Sequence, residues 1–283
     1  MNILSLCDNI ASHDYQPPEV IKGSQIRIFF EVINEFHKNN SISSTCTLEM
    51  TPQEISKRLR NLANPDIAEH SKHFFKTGQG EYGEGDRFLG IRVPEIRALL
   101  KKCEAVSLEA IQTLLMSAFH EVRLFALLLL VQKFAKGDDQ EKTAIYELYV
   151  HNLHRVNNWD LVDSSASQII GSYLEARDKQ LLYKLAKSSS IWERRIAIMS
   201  TFYFIRNNQF EDALRLSELL LQDDEDLIHK AVGWMLREIG KRNEAVEQAY
   251  LKLYYKKMPR TMLRYAIEKF PEQERRKYLS GEI

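Results

Sequence analysis

Three cysteines in 283 residues, at positions 7, 46 and 103, are too few and too scattered for a disulfide framework or a metal knuckle. The histidines at 120, 151, 154 and 229 do not add a metal spacing with carboxylates or cysteines, so no metal and no cofactor is expected. No basic leader followed by an apolar stretch opens the chain, which argues against a secretory signal. The longest apolar run, Leu124 to Val131, is far too short to span a bilayer. Net charge is also missing: 39 basic side chains balance 39 acidic ones, so the total advertises no polyanion partner. Only residues 151–283 show a small basic surplus, which matters to nucleic acid only if those groups share a face. These absences together predict a water-soluble protein of a reducing compartment.

What is present is helical. The 44% hydrophobic content suffices for a large core. Apolar residues recur at helical spacing from Ser24 to Phe36, and an Asn/Ser/Thr-rich stretch from Asn39 to Thr47 follows. Residues 1–48 therefore read as an N-terminal appendage, a loosely attached helix plus linker, ahead of a main domain at 49–283. Thr51-Pro52-Gln53-Glu54 marks a fresh beginning, with Thr51 as N-cap, proline in the first turn and Glu54 closing a capping box. A second helix is predicted from Pro65 to about Phe74, and another opens at Arg92-Val93-Pro94-Glu95. Between them, Thr77 to Asp86 holds four glycines in ten residues. It lacks the Gly-Lys-Ser/Thr ending of a phosphate-binding loop, and no strand precedes it, so an ordered helix–helix connection is the expected reading.

Beyond that point a pattern repeats. The segments beginning at His120, Ile191, Asp226 and Met258 each have a polar opening, a basic residue and then a dense apolar run containing alanine or leucine. With Asp163 as the matching point of its own segment, positions 123, 163, 195, 230 and 264 recur at roughly 32 to 40 residues, the range of helix-pair repeats. No alternation suggests a strand. The predicted fold is all-α, an α-solenoid of HEAT or armadillo-like repeats with a concave cleft. Arg123, Asp163, Arg195, Lys230 and Arg264 would enter that cleft on successive rungs, four cations and one acid. The competing reading, solvated charges at helix starts, is equally open on pattern alone.

One of these segments has unusual chemistry. In Asn157-Asn158-Trp159-Asp160-Leu161-Val162-Asp163, Asn158 is a natural N-cap and Asp160 falls in the first turn, where the helix dipole favours a carboxylate. Trp159 and Asp163, four apart, share a face. A large ring beside a carboxylate suits a surface that receives a cation better than it suits a core. Further on, Lys230, Trp234 and Arg237 form a cation–ring–cation stripe, and Gly233 within it implies close packing. Taken alone, Trp234 would be core, and Trp192 is assigned to packing. The pairs and clusters at Lys241-Arg242 and Lys256 to Arg260 read as solvated loops, and Asp223 to Asp226 as an acidic helix start.

Four motifs in order, Phe88-Leu89-Gly90-Ile91-Arg92-Val93-Pro94, Trp159 to Asp163, Ile191-Trp192-Glu193-Arg194-Arg195 and Lys230 to Glu238, resemble the AlkD family of DNA alkylation repair glycosylases over about residues 51–280. The resemblance implies a solenoid that holds double-stranded DNA in its cleft and releases N3- and N7-alkylated purines, leaving the base in the duplex. It puts the catalytic aspartate at Asp163, the two cleft tryptophans at Trp159 and Trp234, and arginines near the lesion at Arg195 and Arg237. The wider DNA-binding set would be Arg195, Arg237, Lys230, Arg123 and Arg264. No cofactor, no membrane and no obligate protein partner is implied; a cytoplasmic monomer is expected. The family's tyrosine before the first turn is Phe74 here, the glycine-rich segment is longer than in the shortest members, and residues 1–48 have no counterpart. Outside that family, the alternatives are a non-catalytic solenoid that binds damaged or branched DNA, and a protein–protein scaffold.

Overall fold

A computed structural model describes residues 50–103 and 105–283; the predicted N-terminal appendage lies outside the described residues. Thr51 caps the first helix as expected: its hydroxyl accepts from Glu54 N at 3.2 Å and the Glu54 carboxylate takes Thr51 N at 2.9 Å. This helix, α1 (Pro52–Asn61), is followed by α2 (Pro65–Phe74), where Asn64 accepts from both Asp66 N and Ile67 N. After the glycine-rich segment come α3 (Val93–Leu100) and α4 (Leu108–Leu115). Then follow α5 (His120–Lys136), α6 (Asp139–His151), α7 (Trp159–Asp163), α8 (Gln180–Leu185) and α9 (Ile191–Arg206). The chain closes with α10 (Glu211–Leu219), α11 (Asp226–Gly240), α12 (Glu244–Tyr254), α13 (Arg260–Ala266) and α14 (Glu272–Ser280). No strand occurs among the described residues, and a single bridge joins Arg87 to Phe119. The fold is all-α.

The helices that begin at the repeated polar openings form one row. In this row α5 meets α7 and the π-helical turn Ser167–Gly171 that follows it, α7 and that turn meet α9, α9 meets α11, and α11 meets α13. The intervening α4, α6, α8, α10 and α12 pack behind. Apolar side chains between the two layers make one hydrophobic cluster that runs from Ile55 to Tyr278. A stack in which each rung touches its neighbours is the α-solenoid predicted from the repeat. Gly233 has the close-packing role its position suggested. A Cβ there would run into the Met262 carbonyl and lie 2.5 Å from Tyr265 Cβ, so α11 and α13 approach closer than a side chain allows.

Ion pairs tie successive rungs together. Asp86 pairs with Arg123 across 37 residues, Asp163 with Arg195 across 32, Arg194 with Asp223 across 29 and Arg237 with Glu268 across 31. All four separations are about one repeat, as nearest-neighbour stacking requires.

Candidate functional site

The site is built on α7, which is a single turn and a half long. Asn158 is fully buried and accepts from Trp159 N at 2.9 Å, which starts the helix where the sequence placed its cap. Asp160, in the first turn, does more than face the dipole. Its Oδ2 lies 2.8 Å from His120 Nε2, while His120 Nδ1 lies 3.0 Å from Asp86 Oδ2. Asp86 also receives Arg123 and, at 3.3 Å, Asn158 Nδ2. Burial disfavours the charged imidazole, but the two carboxylates overcome this and push its pKa up to about 9. Burial works against the Asp86 carboxylate as well; His120 and Arg123 nevertheless hold it below its ordinary range. An imidazolium clamped between two carboxylates thus locks α7 to α5 and to the end of the glycine-rich segment.

Asp163 ends the same short helix. Arg195 from α9 addresses it with two parallel donors, Nε to Oδ1 at 2.9 Å and Nη2 to Oδ2 at 2.8 Å. The third edge of the guanidinium gives Nη1 to the Leu227 carbonyl of α11 at 2.5 Å. Burial pushes the Asp163 carboxyl up, and Arg195 opposes that. Two N–H groups on two oxygens is the geometry of the ionised carboxylate. Each oxygen has one lone pair left, so the group can still accept from, or face, something else.

These contacts revise the cation set. Arg123 is only 2% exposed; it serves Asp86 and the Ser117 carbonyl rather than facing a cleft. Arg195, at 5% exposed, has its donors turned to Asp163 and Leu227, which leaves it poorly placed for a phosphate. The reason is the same in both cases: an acid one repeat away draws the guanidinium into the layer. Lys230 is partly exposed and pairs with Asp226 on its own helix at 2.7 Å, while Arg264 is exposed. Arg237 pairs with Glu268.

The aromatic residues fall into two groups. Trp159 is half-buried, stacked on Phe75 (centroids 5.3 Å apart, planes at 23°) and met edge-on by Phe74 at 5.8 Å. Phe75 continues the stack onto Phe88, which in turn stacks on the His120 imidazole. Trp234 stands two turns beyond Leu227 on α11, about 10 Å along the helix axis. Its ring packs on Phe202 and its N–H goes to Glu238 Oε1 at 3.2 Å. The structure therefore pairs Asp163 directly with Arg195, with Trp159 one turn away on α7, while Trp234 and Arg237 lie farther along α11 and are held by Glu238 and Glu268 respectively.

Several participants escape a sequence reading. The glycine-rich segment brings Tyr82 against the edge of Trp192, with centroids 5.9 Å apart. Asp86, at the end of that segment, anchors the buried network, and Glu121 takes the amides of Leu89, Gly90 and Ile91 at 2.9, 2.7 and 3.2 Å. Asp223 binds Arg194 through both oxygens and so is more than an acidic helix start. Lys241 and Arg242, expected to be solvated, both hold Glu238. The one available signal is the recurrence of opposite charges about one repeat apart.

An all-helical stack with an oriented, partly buried carboxylate defines a helical-repeat protein with a charged site across three rungs. The chain belongs to the DNA alkylation repair enzyme family, whose match covers residues 55–270. A predicted DNA alkylation repair enzyme from Enterococcus faecalis has a similar structure, with a TM-score of 0.58 at 20% identity, over 74% of this chain and 97% of that one. AlkD2 from Streptococcus mutans aligns at a TM-score of 0.46 and 19% identity, over 73% of this chain and 98% of its own. Among curated proteins none matches in sequence. The family places this chain in DNA repair, with DNA as its substrate. Among the described residues no helix is long and apolar enough to cross a membrane, and no group of histidine, cysteine or carboxylate side chains could hold a metal ion.

Proposed function

We propose that the protein hydrolyses the N-glycosidic bond of cationic N3- or N7-alkylated purines in duplex DNA. The observation that supports it is the oriented carboxylate of Asp163, one turn from Trp159. An alkylated purine already carries positive charge and leaves as a neutral base, so no general acid is required. What needs help is the oxocarbenium-like sugar left behind. A carboxylate in a water-poor site stabilises that charge and can orient the attacking water. Trp159 would add ring-quadrupole attraction of roughly 0.5–2 kcal/mol. In this reading Arg195 is a positioning residue: it keeps Asp163 ionised and aimed against the burial that raises its pKa. Phosphate contact falls to the partly exposed Lys230 and the exposed Arg264, and Trp234 and Arg237 belong to the DNA-facing surface of α11.

One observation favours a second reading. Arg195 neutralises much of the charge Asp163 presents, which suits a protein that binds damaged DNA without cutting the glycosidic bond. The two are separated by incubating methylated duplex with the full chain and following both complex formation and free 7-methylguanine and 3-methyladenine. Release of free base supports the glycosylase. Salt-dependent binding without release supports the binder.

A further inference from the structure

His120 is buried where α5, α7 and the end of the glycine-rich segment meet. As the imidazolium, the form present at neutral pH, it has two N–H donors, and both lie in the plane of the ring. Nδ1 meets Asp86 Oδ2 at 3.0 Å and Nε2 meets Asp160 Oδ2 at 2.8 Å. An apolar residue of similar volume would hold these segments together about as well. What it could not do is fix a ring plane by two directed bonds to carboxylates on different segments.

That plane is passed on. Phe88 stacks on the imidazole, with centroids 4.8 Å apart and planes at 26°, and Phe75 lies against it at 4.9 Å. Phe75 in turn stacks on the Trp159 indole at 5.3 Å and 23°. A second route runs through the backbone, because Asp160 directly follows Trp159 and its carboxylate is held by His120. On the other side of Trp159, Asn158 caps the turn through Trp159 N and gives its own Nδ2 to Asp86 at 3.3 Å. The remaining charges around the imidazolium are committed elsewhere, Arg123 to Asp86 and Glu121 to the amides of Leu89, Gly90 and Ile91.

Resting on the reading that Trp159 faces a cationic base or its sugar, we propose that His120 is a positioning residue for the Trp159 indole. Through Phe75 it sets the plane of that ring, and through Asp160 it fixes the helical turn that carries it. Asp163 has its own anchor in Arg195, so the indole is what depends most on His120.

The chain has three tryptophans, so Trp192→Phe with Trp234→Phe leaves Trp159 as the only emitter, and its emission and acrylamide quenching report on its own ring. In that background His120→Gln removes the ring and one of the two donors. Phe75→Leu breaks the ring route alone and strands no charge, so it decides the matter if His120→Gln does not fold. Both should shift Trp159 emission to the red and make it quench more readily, at a temperature where each variant is folded. With the native tryptophans restored, either change should slow single-turnover release of 7-methylguanine by about tenfold or more while duplex affinity is unchanged. The double variant should be no slower than His120→Gln alone. Wild-type quenching in folded variants overturns the positioning role, whatever stability they lose, and altered quenching with a wild-type rate of release overturns its part in the reaction. If the wild type itself releases no base, the glycosylase reading fails, and the quenching still decides whether His120 positions the indole.

Discussion

Arg195 grips Asp163 with two parallel N–H donors at 2.9 and 2.8 Å, and spends its remaining edge on the Leu227 carbonyl. One guanidinium thus joins three consecutive rungs, α7, α9 and α11. The pair is largely shielded from water, so removing one partner strands the other.

Arg195→Met should therefore destabilise the fold by roughly 2–4 kcal/mol, because Asp163, only partly open to water, is left without a cation. Adding Asp163→Asn should restore much of that loss. Urea unfolding of the two single variants and the double variant measures it. A loss below about 1 kcal/mol for Arg195→Met would show the pair to be no stronger than an exposed one.

The clamp at His120 predicts a pH dependence. Its folded pKa, about 9, lies above the ordinary 6.5, so the folded protein binds the extra proton in between. Its stabilisation is complete below pH 6.5 and is lost as pH rises through 9, amounting to about 3 kcal/mol at 1.36 kcal/mol per unit. Unfolding free energy should fall over that window in the wild type, and the fall should be shallower in His120→Gln.

Glu247 pushes the same way from the other end of the stack. It is buried on α12 with Oε1 unpartnered, and burial with Glu244 nearby raises its pKa to about 8 despite Arg237. A carboxyl raised in the folded state stabilises below its unfolded value of 4.5 and loses that contribution as pH passes 8. Glu247→Gln should leave stability at pH 5 nearly unchanged and increase it at pH 9. Thermal melting at the two pH values separates this group from His120, whose substitution has the opposite effect near neutrality.

At Gly233 two effects compete. Alanine would gain up to about 1 kcal/mol of helix propensity. Against this stands overlap with the Met262 carbonyl, a backbone atom that cannot swing aside. Overpacking of about 1–3 kcal/mol should win, so Gly233→Ala lowers the melting temperature. An unchanged or higher value would mean that α13 yields.

The architecture was open to the sequence because it is written locally. A cap such as Thr51 or Asn158 acts within one turn, and an apolar run after a charged opening marks a helix wherever it lies. The row of α5, α7, α9, α11 and α13 follows from those openings. The destination of the charges was not legible. Arg123, Arg195 and Lys230 look alike at a helix start, yet the first two are drawn inward by Asp86 and Asp163 while the third faces water. That difference is decided by residues about one repeat away, and no local rule weighs it. Tyr82 was hidden for a related reason: its neighbour Trp192 lies more than a hundred residues along the chain.

The central claim is that Asp163 stabilises the sugar as the modified base departs. Single-turnover release of 7-methylguanine from methylated duplex, with enzyme in excess, reads that step directly. Asp163→Asn keeps the size of the side chain and removes its charge, and should slow release by about a hundredfold or more while duplex binding persists. Equal rates of release from the wild type and Asp163→Asn would contradict the account.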